Sequence, residues 1–281
     1  MAETKDKPKT RVGPINPTRN EFFNKLLFDP AYNEVINKLL LPDYQLPTLE
    51  LSEKTRDVKD FYDSTFAKNY DPHMEETGHY AAMRRLLDFI IPNIPRGLIL
   101  DPACGTGEAI SYILSKREDL RFIANDFSPA MLAIAFKKLE DFYPERVLFT
   151  QFDAQTIPFK DDTFGTILLT YTMHWFEDKL GAAENLHRIL RPGGALISIE
   201  EWPLIVSPSQ YSEEFRDKLL RTIAPMELEE MNFEIFFKTG FCSLIPRHHI
   251  PIDEKHEMRL AVYGSRLKYP EVPKTVSAAS E

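Results

Sequence analysis

The stretch that most constrains this chain is Leu98–Gly107, Leu-Ile-Leu-Asp-Pro-Ala-Cys-Gly-Thr-Gly. Three apolar residues predict a short buried strand, Asp101 closes it, and Gly105 and Gly107 let the backbone turn sharply into a helix over 108–115. Such a turn is a ligand seat. A helix N-terminus offers unpaired amide hydrogens and partial positive charge, and glycine removes the side chains that would hold a ligand off the backbone. The unusual component is the acid placed before the glycines.

The pattern around this stretch is an alternation of strands and helices. Apolar runs predict strands at 98–103, 121–125, 147–152, 166–170 and 195–200, with helices between them to about 115, from Ser128-Pro129 to about 141, and over 177–190. Alternation of this kind means a parallel sheet covered on both faces, a doubly wound α/β fold. Two further strands, 241–249 and 257–266, are joined by a short link and are therefore antiparallel, which makes seven strands, mostly parallel, with the last one reversed. Between them and Trp202 the periodicity is weaker, with helices expected over 209–223 and 227–238.

Upstream, a helix is expected over 79–90, stopped by Pro92 and Pro95. Apolar residues at helical spacing give two amphipathic helices in 21–41 and a further one carrying Val58, Phe61, Tyr62, Phe66 and Tyr70. These pieces either cover the open end of the sheet as a lid or simply pack against it. Residues 1–20 and 271–281 read as solvated tails, so the expected division is 1–20 tail, 21–57 helical extension, 58–270 main domain and 271–281 tail.

Composition narrows the partners. With 43% hydrophobic residues the chain can bury a sizeable core, and a net charge of −9 argues against a nucleic-acid binder, which needs cations to neutralise phosphates. Two cysteines, no signal-like start and no apolar run long enough to span a bilayer predict a reduced, cytoplasmic protein without a membrane span. Oligomeric state is not legible.

A dinucleotide site requires G-x-G-x-x-G, but the third position is Ile110, which speaks against a nicotinamide enzyme. Asp101 before the turn can instead meet an ammonium group, and Asp126, at the end of the second strand, can bridge two ribose hydroxyls. Phe127 can lie against an adenine, while the Asp153 carboxylate and Ala154 amide can read its edge. A nucleoside carrying an amino acid satisfies all of these, and S-adenosylmethionine is that molecule. No metal is expected: adjacent His248 and His249 make a poor ligand pair without a well-spaced third group.

These motifs, with Asn-Asp-Phe-Ser-Pro-Ala-Met-Leu at 125–132, Asp-Ala-Gln-Thr-Ile-Pro-Phe at 153–159, Met-His-Trp at 173–175 and Leu-Arg-Pro-Gly-Gly at 190–194, resemble class I S-adenosylmethionine-dependent methyltransferases. The small-molecule members of ubiquinone and malonyl-carrier-protein methylation are the most similar in type, over about residues 58–202. The resemblance implies methyl transfer to a small-molecule acceptor, with S-adenosylhomocysteine as product. It also implies that Asp101, Ala103, Gly105 and Gly107 hold the methionine part, Asp126 the ribose and Asp153 with Ala154 the adenine. The backbone near Leu169 and Thr170 is implied to touch the methionine part and Tyr70 to close over it. Ala103 replaces a commoner glycine, and Gly165 stands where an Asp often follows the Phe of the fourth strand. His174 is a candidate general base or a pocket wall, and Glu200 and Glu201 either face the site or form a solvated rim. Other readings are a non-catalytic partner of the same fold, a cofactor-binding enzyme of different chemistry, and an NAD-linked oxidoreductase.

Overall fold

A computed structural model describes residues 30–42, 51–202, 235–236, 238–252 and 257–265. Five apolar segments form the parallel body of the sheet: β1 (Gly97–Asp101), β2 (Leu120–Asn125), β3 (Val147–Thr150), β4 (Phe164–Thr170) and β5 (Leu190–Trp202). β6 (Phe241–Pro251) and β7 (Glu257–Ser265) complete it in the order β3-β2-β1-β4-β5-β7-β6. β7 runs antiparallel to both β5 and β6, so the expected reversed last strand is the one wedged between them. Ile99, Leu100, Ile123, Ile167 and Leu168 are all buried, as central strands covered on both faces require.

The helices earn their places through one apolar face each. In α5 (Glu108–Lys116), Ala109, Ile110, Ile113 and Leu114 are buried, so Ile110 is a packing residue where a dinucleotide fold would need glycine. α6 (Pro129–Leu139) begins as Ser128-Pro129 foretold: the Ser128 hydroxyl accepts from the Met131 amide at 3.1 Å and proline occupies the first turn. α4 (His79–Ile90) has the predicted limits and buries Tyr80, Ala82, Met83, Leu86, Leu87 and Ile90. α7 (Lys179–Ile189) is capped by Asp178, whose carboxylate accepts from the Gly181 amide at 2.9 Å.

Gly165 sits at an irregularity in β4, where the pairing with β5 shifts register between Phe164 and Thr166. Its carbonyl oxygen lies 2.9 Å from where a Cβ on Gly194 would fall, so Gly194 is the glycine that lets the strands close around the shift.

Upstream, one expected helix is found and the next is interrupted. α1 (Pro30–Leu39) is stitched to the core, with the Leu41 amide donating to the Pro158 carbonyl at 2.8 Å and the Lys160 amide to the Leu39 carbonyl at 2.9 Å. The helix expected around Val58–Tyr70 is split into α2 (Glu53–Phe61), a π-helical turn at Tyr62–Phe66 and α3 (Ala67–Glu76), because Ser64 leaves helical geometry with ψ −165°. A boundary between residues 57 and 58 therefore falls inside α2. The first of the two helices expected in 21–41, which carries Phe22, Phe23, Leu26 and Leu27, the one over 209–223, and most of that over 227–238 lie outside the described residues.

Candidate functional site

The carboxyl ends of β1, β2, β3 and β4 open onto a cleft of about 680 Å³, the place where open α/β sheets receive ligands. The turn after β1 shows how the sequence builds it. Its left-handed positions fall on Gly105 (φ 54°) and Gly107 (φ 77°) and not on Ala103, which explains why alanine is tolerated there. Nothing lies within 4 Å of a Cβ placed on Gly105, which lines the cleft and leaves its backbone open to a ligand. Gly107 has a different duty. A Cβ there would come within 2.9 Å of Leu139 Cδ1, so this glycine lets α6 pack against the start of α5, and it does not line the cleft.

Asn125 joins the three strand ends. Its side-chain amide donates to the carbonyls of Pro102 at 2.7 Å and Phe152 at 3.0 Å, while its oxygen accepts from the Phe152 amide at 2.9 Å and the Thr150 hydroxyl at 3.1 Å. Four bonds on one buried amide fix where the next residue points. That residue, Asp126, is held by the Gly105 amide at 2.8 Å and the Ser128 amide at 2.8 Å, one on each carboxylate oxygen. Burial pushes its carboxyl up to about 7, against those two amides and with the nearby Asp63 charge adding to the rise.

Asp126, Phe127, Asp153, Ala154, Ala103, Gly105, Tyr70 and Thr170 line the cleft. Asp153 is raised chiefly by burial and bonds to Gln155 through the backbone amide at 3.0 Å. Leu169 is fully buried in the sheet and leaves the lining to Thr170. Asp101 stands behind the surface, fully buried, with Oδ1 accepting from the Ala103 amide at 3.3 Å and Oδ2 without a hydrogen-bond partner among the described residues. Burial raises its carboxyl well above the usual range, with Asp126 nearby adding like-charge repulsion.

His174 is also turned away from the lining. It belongs to the 3₁₀ turn Met173–Trp175 after β4, and its Nδ1 is 3.3 Å from Glu200 Oε2. The other Glu200 oxygen accepts from the amides of Thr172 at 3.2 Å and Met173 at 3.1 Å. Glu200 thus anchors this turn and presents Trp175 to the cleft. Glu201 meets His79 instead, at 3.4 Å.

The opposite wall comes from the helical segment whose sequence fits either a lid or simple packing, with Thr55 added to the residues named there. Thr55, Val58 and Tyr62 reach the cleft from α2 and the π turn, and Tyr62 meets Trp175 edge to face at 5.6 Å. The apolar face of a short helix looks the same whether it packs on a core or walls a cleft, so only their position revealed them. Tyr171 was missed for another reason: it follows the last strand residue with φ 55°, a conformation rare for a bulky side chain and one that marks functional sites.

Tyr70, Ala103, Gly105, Thr170 and Tyr171 are shared with an adjoining cavity of about 300 Å³. Beneath it, Asp71 accepts from the Tyr80 hydroxyl at 2.6 Å and from Thr106, and pairs with Lys138 at 2.8 Å. Burial opposes ionisation of Glu108 at the rim, yet its bonds to Arg84 and Lys138 outweigh it and lower the carboxyl. The charged residues that line the two cavities are Asp126, Asp153 and Glu108, all acids. Among the described residues no group of three or more His, Cys, Asp or Glu could hold a metal, and no helix is long and apolar enough to cross a membrane.

The acids and the orphaned Asp101 oxygen fit a ligand that is a nucleoside at one end and cationic at the other. They suit a dinucleotide poorly, since its diphosphate would face carboxylates. Comparisons with known proteins agree. Residues 99–194 match the family model described as a methyltransferase domain. The demethylmenaquinone methyltransferase of Thermus thermophilus is 35% identical over 117 residues, which are 42% of this chain and 52% of that one. The chain spans about half the length of the curated relatives it matches.

Among solved structures, phosphoethanolamine N-methyltransferase 2 of Haemonchus contortus with S-adenosyl-L-methionine superposes with a TM-score of 0.58 at 17% identity, over 74% of this chain and 60% of that one. The [4+2]-cyclase SpnF superposes with a TM-score of 0.58 at 14% identity, over 76% and 97%. At such identities the likeness concerns the fold alone. Residues 99–194 are thus similar to a methyltransferase domain, and the described residues share the doubly wound fold of these solved structures.

Proposed function

We propose that this chain is an S-adenosylmethionine-dependent methyltransferase acting on a neutral, largely apolar small molecule. The observation that carries the reading is the charge of the lining: its charged residues are acids only. When bound, S-adenosylmethionine supplies a methyl group already activated by its sulfonium.

The chain's own residues then have four tasks. Asp126 is suited to accept the ribose hydroxyls, since each of its oxygens keeps acceptor capacity beyond the amide it already holds. Asp153 and Ala154 would read the adenine edge, with Phe127 against the ring. Asp101, together with the open backbone at Ala103 and Gly105, would hold the methionine part, the buried unpaired oxygen calling for a cationic donor. Tyr70 and Tyr171, common to both cavities, flank the narrow region between the nucleoside and methionine ends.

For the acceptor this leaves Val58, Tyr62, Trp175 and Phe176, a wall without a charged side chain. Such a wall selects a neutral planar or aliphatic group, excludes water and aligns it for in-line displacement. Orientation alone can recover roughly 7 to 11 kcal/mol of barrier. His174 holds Glu200 and supports Trp175, so we assign it a supporting role, with the acceptor atom one that needs no proton removed by a histidine. A cytoplasmic setting accords with a chain whose Cys104 is buried and free.

The test is a metabolite screen with S-adenosylmethionine labelled on its methyl group. Label should pass to neutral, apolar small molecules. Transfer confined to nucleic acid or to charged metabolites would contradict the acceptor reading, and cofactor binding without any transfer would favour a non-methylating role for the fold.

A further inference from the structure

Gln155 lies between three segments that meet at the nucleoside end of the cleft, and neither end of its side-chain amide is idle. The oxygen accepts from the backbone amides of Glu177 at 2.7 Å and Asp178 at 2.9 Å, where the chain enters α7. The nitrogen faces the other way. It is 3.3 Å from the hydroxyl of Thr55 on α2, and 3.3 and 3.4 Å from the two oxygens of Asp153. The backbone is pinned as well: the Gln155 amide donates to Asp153 at 3.0 Å and its carbonyl accepts from Asn185 of α7 at 3.2 Å.

We infer that Gln155 is a positioning residue that couples occupancy of the nucleoside end to the docking of α2 over the cleft. Three facts argue for it. Asp153 is nearly buried, so the direction of its carboxylate is set by the partners it has, and Gln155 supplies them through both backbone and side chain. Thr55 itself lines the cleft, three residues before Val58, so a bond to Thr55 bears on the wall assigned to the acceptor. A parallel tie between the same two segments, from the Ser52 hydroxyl to Glu177 at 2.6 Å, leaves α2 anchored to the entrance of α7 but not to Asp153. Gln155 is the contact through which the adenine carboxylate and α2 sense each other.

A glutamine fits this place because it donates and accepts at once. Glutamate would keep the acceptor for Glu177 and Asp178 but set a carboxylate against Asp153. Leucine would keep the volume and lose both. The inference rests on the reading of the cleft as an adenosyl site.

The test uses S-adenosylhomocysteine as probe with the full chain, measuring affinity by calorimetry and amide hydrogen exchange over residues 52–62 with and without the probe. In the unsubstituted chain, binding should slow exchange in 52–62. Gln155→Leu should weaken binding about three- to tenfold and abolish that protection, the size of one or two lost hydrogen bonds. Gln155→Glu should weaken it while leaving exchange at 177–181 unchanged, which guards against a fold defect in the leucine variant. Thr55→Val should lose the protection with a smaller loss of affinity, and adding it to Gln155→Leu should cost little more. Wild-type affinity and wild-type protection in Gln155→Leu would overturn the inference alone. Failure of the unsubstituted chain to bind the probe would overturn the adenosyl reading and the inference together.

Discussion

The two walls of the cleft are built on different principles. The sheet-side wall takes its geometry from backbone: Asp126 is clamped by the amides of Gly105 and Ser128, and Asn125 ties β1, β2 and β3 together with four bonds to backbone and side chain. The facing wall, α2 with the π turn and α3, is attached through side chains. Asp63 accepts from the Ser128 hydroxyl at 2.6 Å and from Lys59, Gln155 reaches Thr55, and Asp71 meets Tyr80 and Thr106. A wall fixed by strands preserves a cofactor pocket, while one fixed by a few polar ties can open, close and be rebuilt for another acceptor.

That contrast can be broken from either side. The largest effect is expected at the rigid wall: Asp126→Ala should weaken S-adenosylhomocysteine binding by about 1.5 to 3 kcal/mol, roughly ten- to 150-fold by calorimetry, if the carboxylate makes charge-assisted ribose bonds. Gly107→Ala should leave the cleft's chemistry intact and cost stability instead, about 1 to 3 kcal/mol in chemical denaturation, because φ 77° and the contact with Leu139 both resist a methyl group. At the side-chain-held wall, Asp63→Ala should cost less in global unfolding, about 1 kcal/mol, since it removes two hydrogen bonds, one of them long, at the start of α6. Its clearer sign should be faster exchange over 53–66.

The pH dependence is a subtler discriminator. Asp126 has a folded-state pKa of about 7, above its unfolded value. The folded chain therefore binds more protons than the unfolded one between roughly pH 4 and 7. This group's stability contribution is fully present below the unfolded pKa and is lost as pH rises through 7, whereas ribose hydroxyls prefer the ionised acceptor. Affinity for S-adenosylhomocysteine should accordingly rise from pH 6 to pH 8, and Asp126→Asn should flatten that rise. The smallest effect is expected at His174: His174→Ala should keep the shape of the pH–rate profile, and a lost acidic limb would restore it as a base.

Legibility in the sequence followed the same divide. Strand ends and helix starts from 97 to 202 could be read because apolar runs, glycines and Ser-Pro are local signals, and the acids at those ends landed beside the cleft. What spacing alone misjudged was direction. Asp101 and His174 sit at the right heights but are buried behind the lining, Asp101 with one oxygen on the Ala103 amide and His174 against Glu200. Gly107 looked like a ligand glycine and is a packing glycine, because its neighbour Leu139 is thirty-two residues away. Thr55 was illegible, and the role of Tyr62 undecided between lid and packing, for a related reason: an amphipathic helix records which face is apolar and not what that face meets, while Gln155 lies in a turn whose partners spacing does not give.

The account rests on the cleft being an adenosyl site whose far end welcomes a cation. Titrating the chain with S-adenosylhomocysteine and, separately, with NAD by calorimetry addresses this directly. Saturable binding of the first, lost in Asp126→Ala, with no heat from the second is the predicted result; binding of NAD without binding of S-adenosylhomocysteine would contradict it.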